Sequence, residues 1–429
     1  MPRIIRNTML NYIPKALPEM KNPDMRRIFD FNNNEIKKGK IVYLCQREIR
    51  AKDNMALDFA KKLKRELNLP LRVIHRREHF LYKQKENFIK KQINIAKEEF
   101  EKKEIEFEIF RGTKAALKEY LKEIQTSVLI IDFNPIENYE YLLDVPFKIF
   151  EIDGHNIIPS RLLSDKQEFG ASTIRKKIYL KIADFLYEPN EPFVPSNQAD
   201  MTLVDFIENK LPYYFEFKNN PVKNVSSGLS KYLNLGFLSA NRATVEILRA
   251  NVSNENKEMF FEELITRKEL AENFCLYCKN FKTLQCVPNW AKMSLKSHQS
   301  DLRQYVYSLN ALEQANTHDP LWNSTQIELI SKGTIHGYLR MYWAKKILQW
   351  SDSPKTALKN AIYLNDKYAY DSPSPSGYTG ILWAIAALHD RAFRDYFITG
   401  KIRRMTYDSM KKKFDITKYI NENKKRGML

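Results

Sequence analysis

The chain has 429 residues, and its 70 Lys and Arg against 52 Asp and Glu give a formal net charge of +18. Hydrophobic residues make up 43% and aromatic residues 12%, which excludes an intrinsically disordered protein and is enough for two or three packed domains. The basic excess favours a polyanionic partner such as nucleic acid, although a generally lysine-rich solvated surface gives the same charge.

Cysteine usage and hydropathy predict the compartment. Four cysteines in a chain of this length do not indicate a disulfide scaffold, so a reducing environment is favoured. No run approaches the roughly 20 apolar residues that a membrane span needs, and the N-terminus lacks the apolar core of a secretory signal. We expect a soluble, intracellular monomer with no membrane association. It would be cytoplasmic in a bacterium or archaeon, and nuclear and viral settings also fit.

The first half of the chain predicts an α/β domain with a parallel, Rossmann-like sheet. Residues 1–39 are interpreted as an N-terminal extension and residues 40–186 as the domain, because short apolar strands alternate there with helical segments. Asp132 ends the clearest strand, at the carboxyl edge where such sheets bind ligands. The expected strands are 40–45, 71–74, 106–110 and 127–132, and the expected helices are 54–67 and about 84–103.

The second half predicts a larger, all-α domain. Residues 187–202, rich in Pro and Asn, are typical of an exposed linker. From 203 to 429 the apolar residues recur with helical spacing, and strand-like alternation is scarce.

Common catalytic signatures are missing from the sequence. It contains no GxGxxG, Walker loop, HExxH or nucleophile elbow. Cys275, Cys278 and Cys286 lack a nearby fourth ligand, so core cysteines on a helix are favoured over a metal site. His336 and His389 could touch a ligand, with satisfied core or surface histidines as the alternative. The lack of acid–base machinery in a basic, aromatic-rich chain indicates that a cofactor supplies the chemistry.

Seven residue strings carry a family resemblance. They are Asn156-Ile-Ile-Pro-Ser, Ser164-Asp-Lys-Gln-Glu-Phe-Gly-Ala-Ser-Thr-Ile-Arg175, Arg267-Lys-Glu-Leu-Ala-Glu-Asn-Phe-Cys275, Thr317-His-Asp-Pro-Leu-Trp322, Gly337-Tyr-Leu-Arg-Met-Tyr-Trp-Ala-Lys-Lys-Ile-Leu-Gln-Trp350, Ile362-Tyr-Leu-Asn-Asp366 and Gly400-Lys-Ile-Arg403. In this order they resemble the class II cyclobutane pyrimidine dimer (CPD) photolyases of the photolyase/cryptochrome family. The resemblance runs from about Ile41 to Lys413.

The resemblance implies light-driven repair of ultraviolet-damaged DNA, single- or double-stranded, by a carbon–carbon lyase. FAD would lie in the helical domain, active in its reduced anionic form, and would pass an electron to a flipped-out dimer. A second, antenna chromophore, a deazaflavin or a folate, would belong to the α/β domain. There the family's first strand reads closer to Tyr-Trp-Met-Ser-Arg-Asp, whereas this chain has Tyr43-Leu-Cys-Gln-Arg-Glu48.

The resemblance assigns a small-residue segment to the FAD phosphates, and Tyr213 or Tyr214 upstream would contribute, with Tyr214 preferred. Hydroxyls and backbone amides at a helix start suit a diphosphate, although a serine-rich helix cap has the same pattern. The segment comprises Ser226, Ser227, Gly228, Leu229 and Ser230.

Three further residues are implied at the isoalloxazine ring. Arg340 resembles the family arginine beside the ring, with Asp371 as its candidate acidic partner. Asn365 matches an asparagine at the N5 edge, where a neutral amide accepts a hydrogen bond without adding negative charge. Asp371 begins a loop, Asp371-Ser-Pro-Ser-Pro-Ser-Gly-Tyr378, that departs from the family's Asp-Gly-Arg-Asp-Pro-Asn-Gly-Tyr.

Three tryptophans resemble the class II electron-transfer chain. Trp343 and Trp350 are seven residues apart, two helical turns, and therefore share a helix face. Core packing would explain any single one of them. The resemblance places Trp343 beside the flavin, Trp322 in the middle and Trp350 at the surface. Their role would be photoreduction of oxidised FAD, which is dispensable once the flavin is reduced.

The lesion pocket is also assigned by resemblance. Trp383 resembles the wall on which the flipped bases stack, Met341 the methionine packed on the dimer, and Glu263 the carboxylate that hydrogen-bonds a thymine edge. Candidates for the phosphate backbone or the gap in the duplex, each with a surface salt bridge as its alternative, are Arg267, Arg391 and Arg403.

Two other functions fit part of the pattern. A cryptochrome-like photoreceptor would share the fold and flavin without repair, and a DNA-binding module would carry a vestigial flavin site. The lesion-side residues Glu263, Met341 and Trp383 favour repair over the first. The tryptophan series and Asn365 favour it over the second.

Overall fold

The first half of the chain folds around one sheet built from its short apolar runs. The computed structural model describes residues 8–20 and 23–424, and within them the sheet has six strands in the order β1-β6-β5-β2-β3-β4. Strands β2 to β6 pair in parallel, as predicted for this sheet, although β6 was not among the expected strands. The strands are β1 (Ile28–Asp30), β2 (Lys40–Leu44), β3 (Leu71–Arg76), β4 (Phe107–Phe110), β5 (Thr126–Asp132) and β6 (Lys148–Ile152).

Strand β1 was not predicted, and it makes the sheet mixed. It pairs antiparallel with β6, with Ile28 opposite Ile152, and it comes from the segment interpreted as an N-terminal extension. Three residues are too few to show a strand period, whereas an antiparallel edge strand on a parallel sheet is common. Residues 1–7 and 21–22 of the predicted extension, and residues 425–429 of the predicted helical domain, lie outside the described residues.

Helices cover the sheet. Helix α1 illustrates why they form: the Asn54 side chain accepts from the Leu57 N–H at 2.9 Å and caps its start, and the predicted apolar face around Phe59 and Leu63 is buried. The helices of this domain are α1 (Met55–Leu67), α2 (Lys83–Glu101), α3 (Lys114–Glu123), α4 (Ser160–Leu163) and α5 (Ala171–Phe185).

The rest of the chain that the structure describes, up to residue 424, is mainly helical, which confirms the two-part fold. Its first helix begins inside the predicted linker, where Asn197 accepts from the N–H groups of Ala199 and Asp200. Two stretches, Phe206–Lys210 and Glu262–Arg267, are π-helical. The α-helices of this part are α6 (Gln198–Asp205), α7 (Tyr214–Phe217), α8 (Ser230–Leu233), α9 (Ala240–Arg249), α10 (Asn254–Phe261), α11 (Lys268–Tyr277), α12 (Asn289–Ser297), α13 (Leu309–Glu313), α14 (Pro320–Lys332), α15 (Gly337–Gln349), α16 (Pro354–Tyr368), α17 (Pro375–Ala386), α18 (Tyr407–Lys411) and α19 (Ile416–Lys424). No helix in the described ranges is long and apolar enough to cross a bilayer.

A buried polar network joins the sheet edge to the helical domain. Asp132, at the predicted carboxyl edge of β5, accepts from the backbone N–H groups of Gln46, Arg47 and Glu48 at 2.6–3.1 Å. Burial raises the pKa of this carboxyl, although the hydrogen bonds oppose the rise. The Arg47 guanidinium then pairs with Glu272 of α11 at 2.5 Å. Asp132 therefore fixes the chain after β2 and, through Arg47, the position of α11.

The cysteine prediction is wrong in part. Cys275 is a buried thiol on α11, as expected. Cys278 and Cys286 instead pair as a disulfide that closes a loop after α11, with their Cα atoms 6.4 Å apart. Cys286 lies in a short 3-10 turn, so only its approach to Cys278 in the fold identifies the pair.

Candidate active site

Three tryptophans meet where α14 packs on α15. The Trp322 and Trp343 rings are parallel, with centroids 6.4 Å apart, and the Trp322 and Trp350 centroids are 5.7 Å apart. The Trp343 Nε1–H donates to Gln326 Oε1 at 2.8 Å, and the Trp322 Nε1–H donates to the Trp343 carbonyl at 3.0 Å. The structure therefore brings the three predicted tryptophans together in the order Trp343, Trp322, Trp350.

The expectation that Trp350 lies at the surface is wrong. Only 4% of this residue is exposed, because Tyr307 and His318 cover its ring with centroids at 5.6 and 5.1 Å. The spacing of seven residues from Trp343 predicted the helix face on which Trp350 lies. It did not predict the loop that covers this face.

Arg340, Asn365 and Asp371 form the second predicted group. Arg340 lies 3.3 Å from Asp371 Oδ2 and 3.4 Å from Asn365 Oδ1, linking α15, α16 and the loop before α17. In that loop Ser372 Oγ donates to the Asn365 carbonyl at 2.8 Å, and Ser374 caps α17. The departure from the family sequence in this loop therefore leaves Asp371 paired with Arg340.

The serine segment is an extended loop that ends in α8, a single helical turn. Gly228 has a φ of +69°, where a side chain would be strained, and Ser227 Oγ accepts from the Leu229 N–H at 3.3 Å. Tyr214, the preferred tyrosine, is buried against Phe206 and Phe260 instead of lying open beside this loop, whereas Tyr213 is exposed. Burial raises the pKa of Tyr214 well above its ordinary value.

Polar atoms without partners in the helical domain leave hydrogen-bonding capacity for a polar ligand such as FAD. Within the described ranges, four buried side-chain atoms on or beside adjacent helices lack a hydrogen-bond partner, whereas buried polar atoms normally have one. A Cβ added at Gly380 of α17 would meet no atom within 4 Å, so open space adjoins this helix. The four atoms are Gln326 Nε2, His336 Nε2, Thr379 Oγ1 and Trp383 Nε1.

The predicted lesion residues lie on three elements. Glu263 and Arg267 belong to the π-helical stretch Glu262–Arg267, a form frequent at functional sites. The Arg267 guanidinium lies 5.7 Å from the Trp383 ring of α17 and also pairs with Glu262 at 3.0 Å. Glu263 pairs with Lys218 at 3.0 Å. Met341 packs half-buried against the core of the helical domain.

Arg391 and Arg403 are brought together by a loop that the sequence reading missed. Both guanidinium groups lie over the Phe393 ring, at 5.4 and 4.5 Å from its centroid. Backbone hydrogen bonds Phe393 N–H to Lys401 O and Tyr396 N–H to Gly400 O close the segment into a hairpin-like loop. Phe397 at its tip is 60% exposed. Four arginines alternating with Phe and Tyr over 391–404 were the signal available in the sequence.

Curated proteins similar to this chain share one name. A deoxyribodipyrimidine photo-lyase of Potorous tridactylus is 34% identical over 97% of this chain and 87% of its own length. The enzymes of the same name from Arabidopsis thaliana and Methanothermobacter thermautotrophicus are 34% and 31% identical over 89% and 92% of this chain, and 88% and 97% of their own lengths. The chain belongs to the DNA photolyase family. No family model matches the sequence.

Solved structures of photolyases and a cryptochrome share the fold. A cryptochrome from Synechocystis superposes with a TM-score of 0.69 at 16% identity, over 91% of this chain and 89% of its own. A class III photolyase from Agrobacterium tumefaciens gives 0.65 at 17%, over 86% and 84%. At these identities the likeness concerns the fold alone. It agrees with the predicted α/β domain followed by a helical domain.

A cleft of about 150 Å³ lies between the carboxyl edge of the sheet and the helical domain of this photolyase-family chain. Gln46 and His75 line it from the ends of β2 and β3, and Ser372 and Tyr378 line it from the loop beside Asp371 and from α17. This is the switch point of the sheet, between β2 and β5, where α/β folds bind ligands. The sequence predicted a ligand site at the carboxyl edge of the sheet, but it did not predict this cleft.

Proposed function

We propose that this protein repairs cyclobutane pyrimidine dimers in DNA under light, as a deoxyribodipyrimidine photo-lyase of class II. The observation that carries the proposal is 31–34% identity to curated photo-lyases over most of the chain. The positive net charge of +18 and the arginine-rich loop around Phe393 agree with a DNA substrate.

FAD is the cofactor, and the residues of the helical domain would hold it as follows. Arg340, paired with Asp371, would lie beside the isoalloxazine ring and offset negative charge on it. Asn365 is 2% exposed and presents a neutral amide, so it would contact the N5 edge without repelling a reduced anion. The loop from Ser226 to Ser230 would receive the phosphates. Bound FAD, reduced and photoexcited, supplies the electron that splits the dimer.

The chain's own part in repair is to expose and hold the dimer. Trp383, with Arg267 over its ring, offers a flat wall for the bases of a flipped-out pyrimidine dimer. Glu263 is about half-exposed beside Lys218 and would turn to a thymine edge, accepting from its N3–H. Arg391 and Arg403 would contact the phosphate backbone, of single- or double-stranded DNA, and the protein would act as a monomer in an intracellular compartment.

The cleft at the sheet edge would take the antenna chromophore, a deazaflavin or a folate. Its walls carry Lys90 for an acidic group and Phe80 and Tyr378 for a ring, whereas Arg77 is already paired with Glu86. A chromophore bound there would lie next to Ser372, one residue from the Asp371 that pairs with Arg340.

The test is binding followed by illumination. In the dark, the protein carrying reduced FAD should bind a dimer-containing oligonucleotide more tightly than an undamaged one of the same sequence. Illumination should release it, because the repaired strand stacks back into the duplex. Equal affinity for both oligonucleotides, with no release in light, would contradict the proposal.

A further inference from the structure

One fully buried lysine of the α/β domain reaches into the helical domain. Lys85 of α2 is 0% exposed, although lysine is among the residues that are least often fully buried. Its ammonium donates to the Asp366 carbonyl at 2.7 Å and to Ser372 Oγ at 3.2 Å, and the Phe80 ring lies 4.9 Å from Nζ. Within residues 8–20 and 23–424, no carboxylate forms an ion pair with it. Burial of an ammonium without an opposite charge beside it costs stability, which favours a role in the site over a purely structural one.

Two aromatic residues on the same face of α2 hold Lys85 in place. Tyr82 and Phe88 lie three residues before and after it, and residues three apart are neighbours on a helix surface. The Tyr82 ring contacts Tyr368 edge-on with centroids 4.8 Å apart, and the Phe88 ring stacks on Tyr370 at 4.9 Å. The Lys85 side chain therefore enters the helical domain at a fixed point, at the end of α16.

The two acceptors of Lys85 are the chain neighbours of two residues that the proposed function places at the isoalloxazine ring. Asp366 directly follows Asn365, and Ser372 directly follows Asp371. Ser372 Oγ in turn donates to the Asn365 carbonyl at 2.8 Å. Lys85 therefore binds the segment between Asn365 and Asp371 at both of its ends.

Ser372 belongs to the loop that departs from the family sequence. The family pattern has Gly and Arg at positions 372 and 373, where this chain has Ser372 and Pro373. Because glycine has no side chain, the hydroxyl that receives the Lys85 ammonium is a feature of this chain. The loop itself lacks the cation of the family pattern, and Lys85 supplies one from α2.

The Lys85 ammonium is charged at neutral pH. Burial lowers its pKa to about 8, and the negative charges of Asp366, Asp371 and Glu78 oppose this fall. A lysine with this pKa is mostly protonated at about pH 7. A positive charge that is fixed two hydrogen bonds from Asn365 favours negative charge in its surroundings.

We propose that Lys85 is a positioning residue for the flavin. Its ammonium holds the segment from Asn365 to Asp371 in the conformation that receives the ring, and its charge favours the reduced, anionic form. Lys85 acts through these residues and through Ser372. The inference rests on the proposed function, which places Asn365 at the N5 edge. It gives the α/β domain a part in the flavin site, whereas the resemblance assigned this domain only an antenna chromophore.

The experiment measures FAD affinity and the midpoint potential of bound FAD in the full-length protein. Lys85→Met keeps most of the apolar stem and removes the charge and the donors. It should weaken FAD binding about tenfold, which corresponds to the loss of one hydrogen bond to a charged group, and it should lower the midpoint potential. Lys85→Arg keeps a charged donor and should recover part of both.

The matched control is a second buried lysine that also donates to a backbone carbonyl. Lys257 of α10 is 9% exposed and donates to the Leu248 carbonyl at 2.8 Å. Lys257→Met should leave the midpoint potential and the FAD affinity as in the wild type. A role of Lys85 in stability alone would change the thermal unfolding of both variants and the midpoint potential of neither.

Hydrogen exchange in the flavin-free protein tests the positioning role without the cofactor. Residues 365–372 should lose protection in Lys85→Met and keep it in Lys257→Met. If circular dichroism shows that Lys85→Met does not fold, Ser372→Ala replaces it. This variant removes one acceptor and should lower both the protection and the FAD affinity by a smaller factor.

An unchanged midpoint potential and FAD affinity in folded Lys85→Met would overturn the inference. Unchanged protection of residues 365–372 in Ser372→Ala would do the same where that variant is used. None of these measurements involves DNA, so they are separable from failure of the proposed function. In that case chemically reduced wild-type protein would leave dimers intact in light, whatever the potential of its flavin.

Discussion

The indole rings of Trp322 and Trp343 lie parallel, with 3° between their planes and 6.4 Å between their centroids. The Trp343 carbonyl accepts from the Trp322 Nε1–H, so the two rings are locked at this distance. Offset-parallel contact of two buried aromatic rings gives the overlap that stepwise electron transfer requires, and Trp343 lies on the same helix as Arg340.

Replacement of Trp343 by Phe should abolish photoreduction of oxidised FAD and spare repair by chemically reduced protein. Phe fills most of the space but is much harder to oxidise than indole. The measurement is flavin absorbance during illumination with a thiol, followed by a repair assay after dithionite reduction. Trp290→Phe, outside the series, is the control and should photoreduce normally. If Trp343→Phe also loses repair, the assigned role is wrong.

Asn365→Asp should disfavour the reduced flavin. A unit negative charge a few ångströms from an anionic ring costs on the order of 1–4 kcal/mol, depending on the local dielectric. The midpoint potential of bound FAD should therefore fall, which spectroelectrochemistry measures. Asn209→Asp adds the same charge at an exposed position of the π-helical segment Phe206–Lys210 and should leave the potential unchanged. An unchanged potential in Asn365→Asp would place Asn365 away from the ring.

Trp383→Ala should weaken binding to dimer-containing DNA and leave binding to undamaged DNA unchanged. Stacking of a base on an aromatic side chain contributes about 1–3 kcal/mol by alanine substitution. Fluorescence anisotropy in the dark with both oligonucleotides gives the difference, and Trp383→Phe should recover part of it. A uniform loss on both DNAs would make Trp383 a general DNA contact or a core residue.

Arg391→Gln and Arg403→Gln should each reduce the salt dependence of DNA binding, lowering the slope of log K against log [salt] by about one. Both guanidinium groups are exposed on the loop around Phe393. Arg249→Gln removes an exposed arginine that pairs with Glu188, and it serves as the control with an unchanged slope. Unchanged slopes in the loop variants would show that this loop does not reach the phosphates.

The arginine-rich loop should loosen as the pH rises. Its anchor is His298, which lies 2.6 Å from Asp301 and 2.8 Å from Asp395. The hydrogen bond that the His298 Nδ1–H donates to Asp301 and the charge of both carboxylates raise the pKa of His298 above its ordinary value of 6.5. Stability from this anchor is fully present below the unfolded pKa of about 6.5 and is lost as the pH rises through the folded pKa.

Hydrogen exchange of residues 393–401 measures this effect. Exchange rates corrected for their intrinsic pH dependence should show less protection at about pH 8 than at about pH 6, and His298→Gln should remove the difference. Protection that increases with pH would contradict a stabilising role for the protonated imidazole.

The sequence predicted the fold where the period of the apolar residues and the length of the element were clear. The apolar run at Thr126–Asp132 and the face of α1 appeared as predicted, because burial on a sheet or helix leaves a direct sequence pattern. Strand β1 was not predicted because three residues are too few to show the alternation of a strand. The pairing of Cys278 with Cys286 and the cover over Trp350 also escaped, because both depend on how loops fold back.

The resemblance identified the residues of the site, but it did not predict how these residues contact one another. The pairing of Arg340 with Asp371, which a changed loop had put in question, is settled by their 3.3 Å separation. Glu263 and Tyr214 show the limit of this approach. The first pairs with Lys218 and the second packs in an aromatic core, contacts that no spacing in the sequence encodes.

The central claim is repair, and dimer loss measured in light against darkness tests it most directly. The chemically reduced, FAD-loaded protein is mixed with an oligonucleotide that contains one thymine dimer, and intact thymines are quantified after blue or near-ultraviolet illumination. We predict restoration of the thymines in light, none in darkness, and no net consumption of reductant. Equal loss of dimers in darkness, or none in light, would contradict the account.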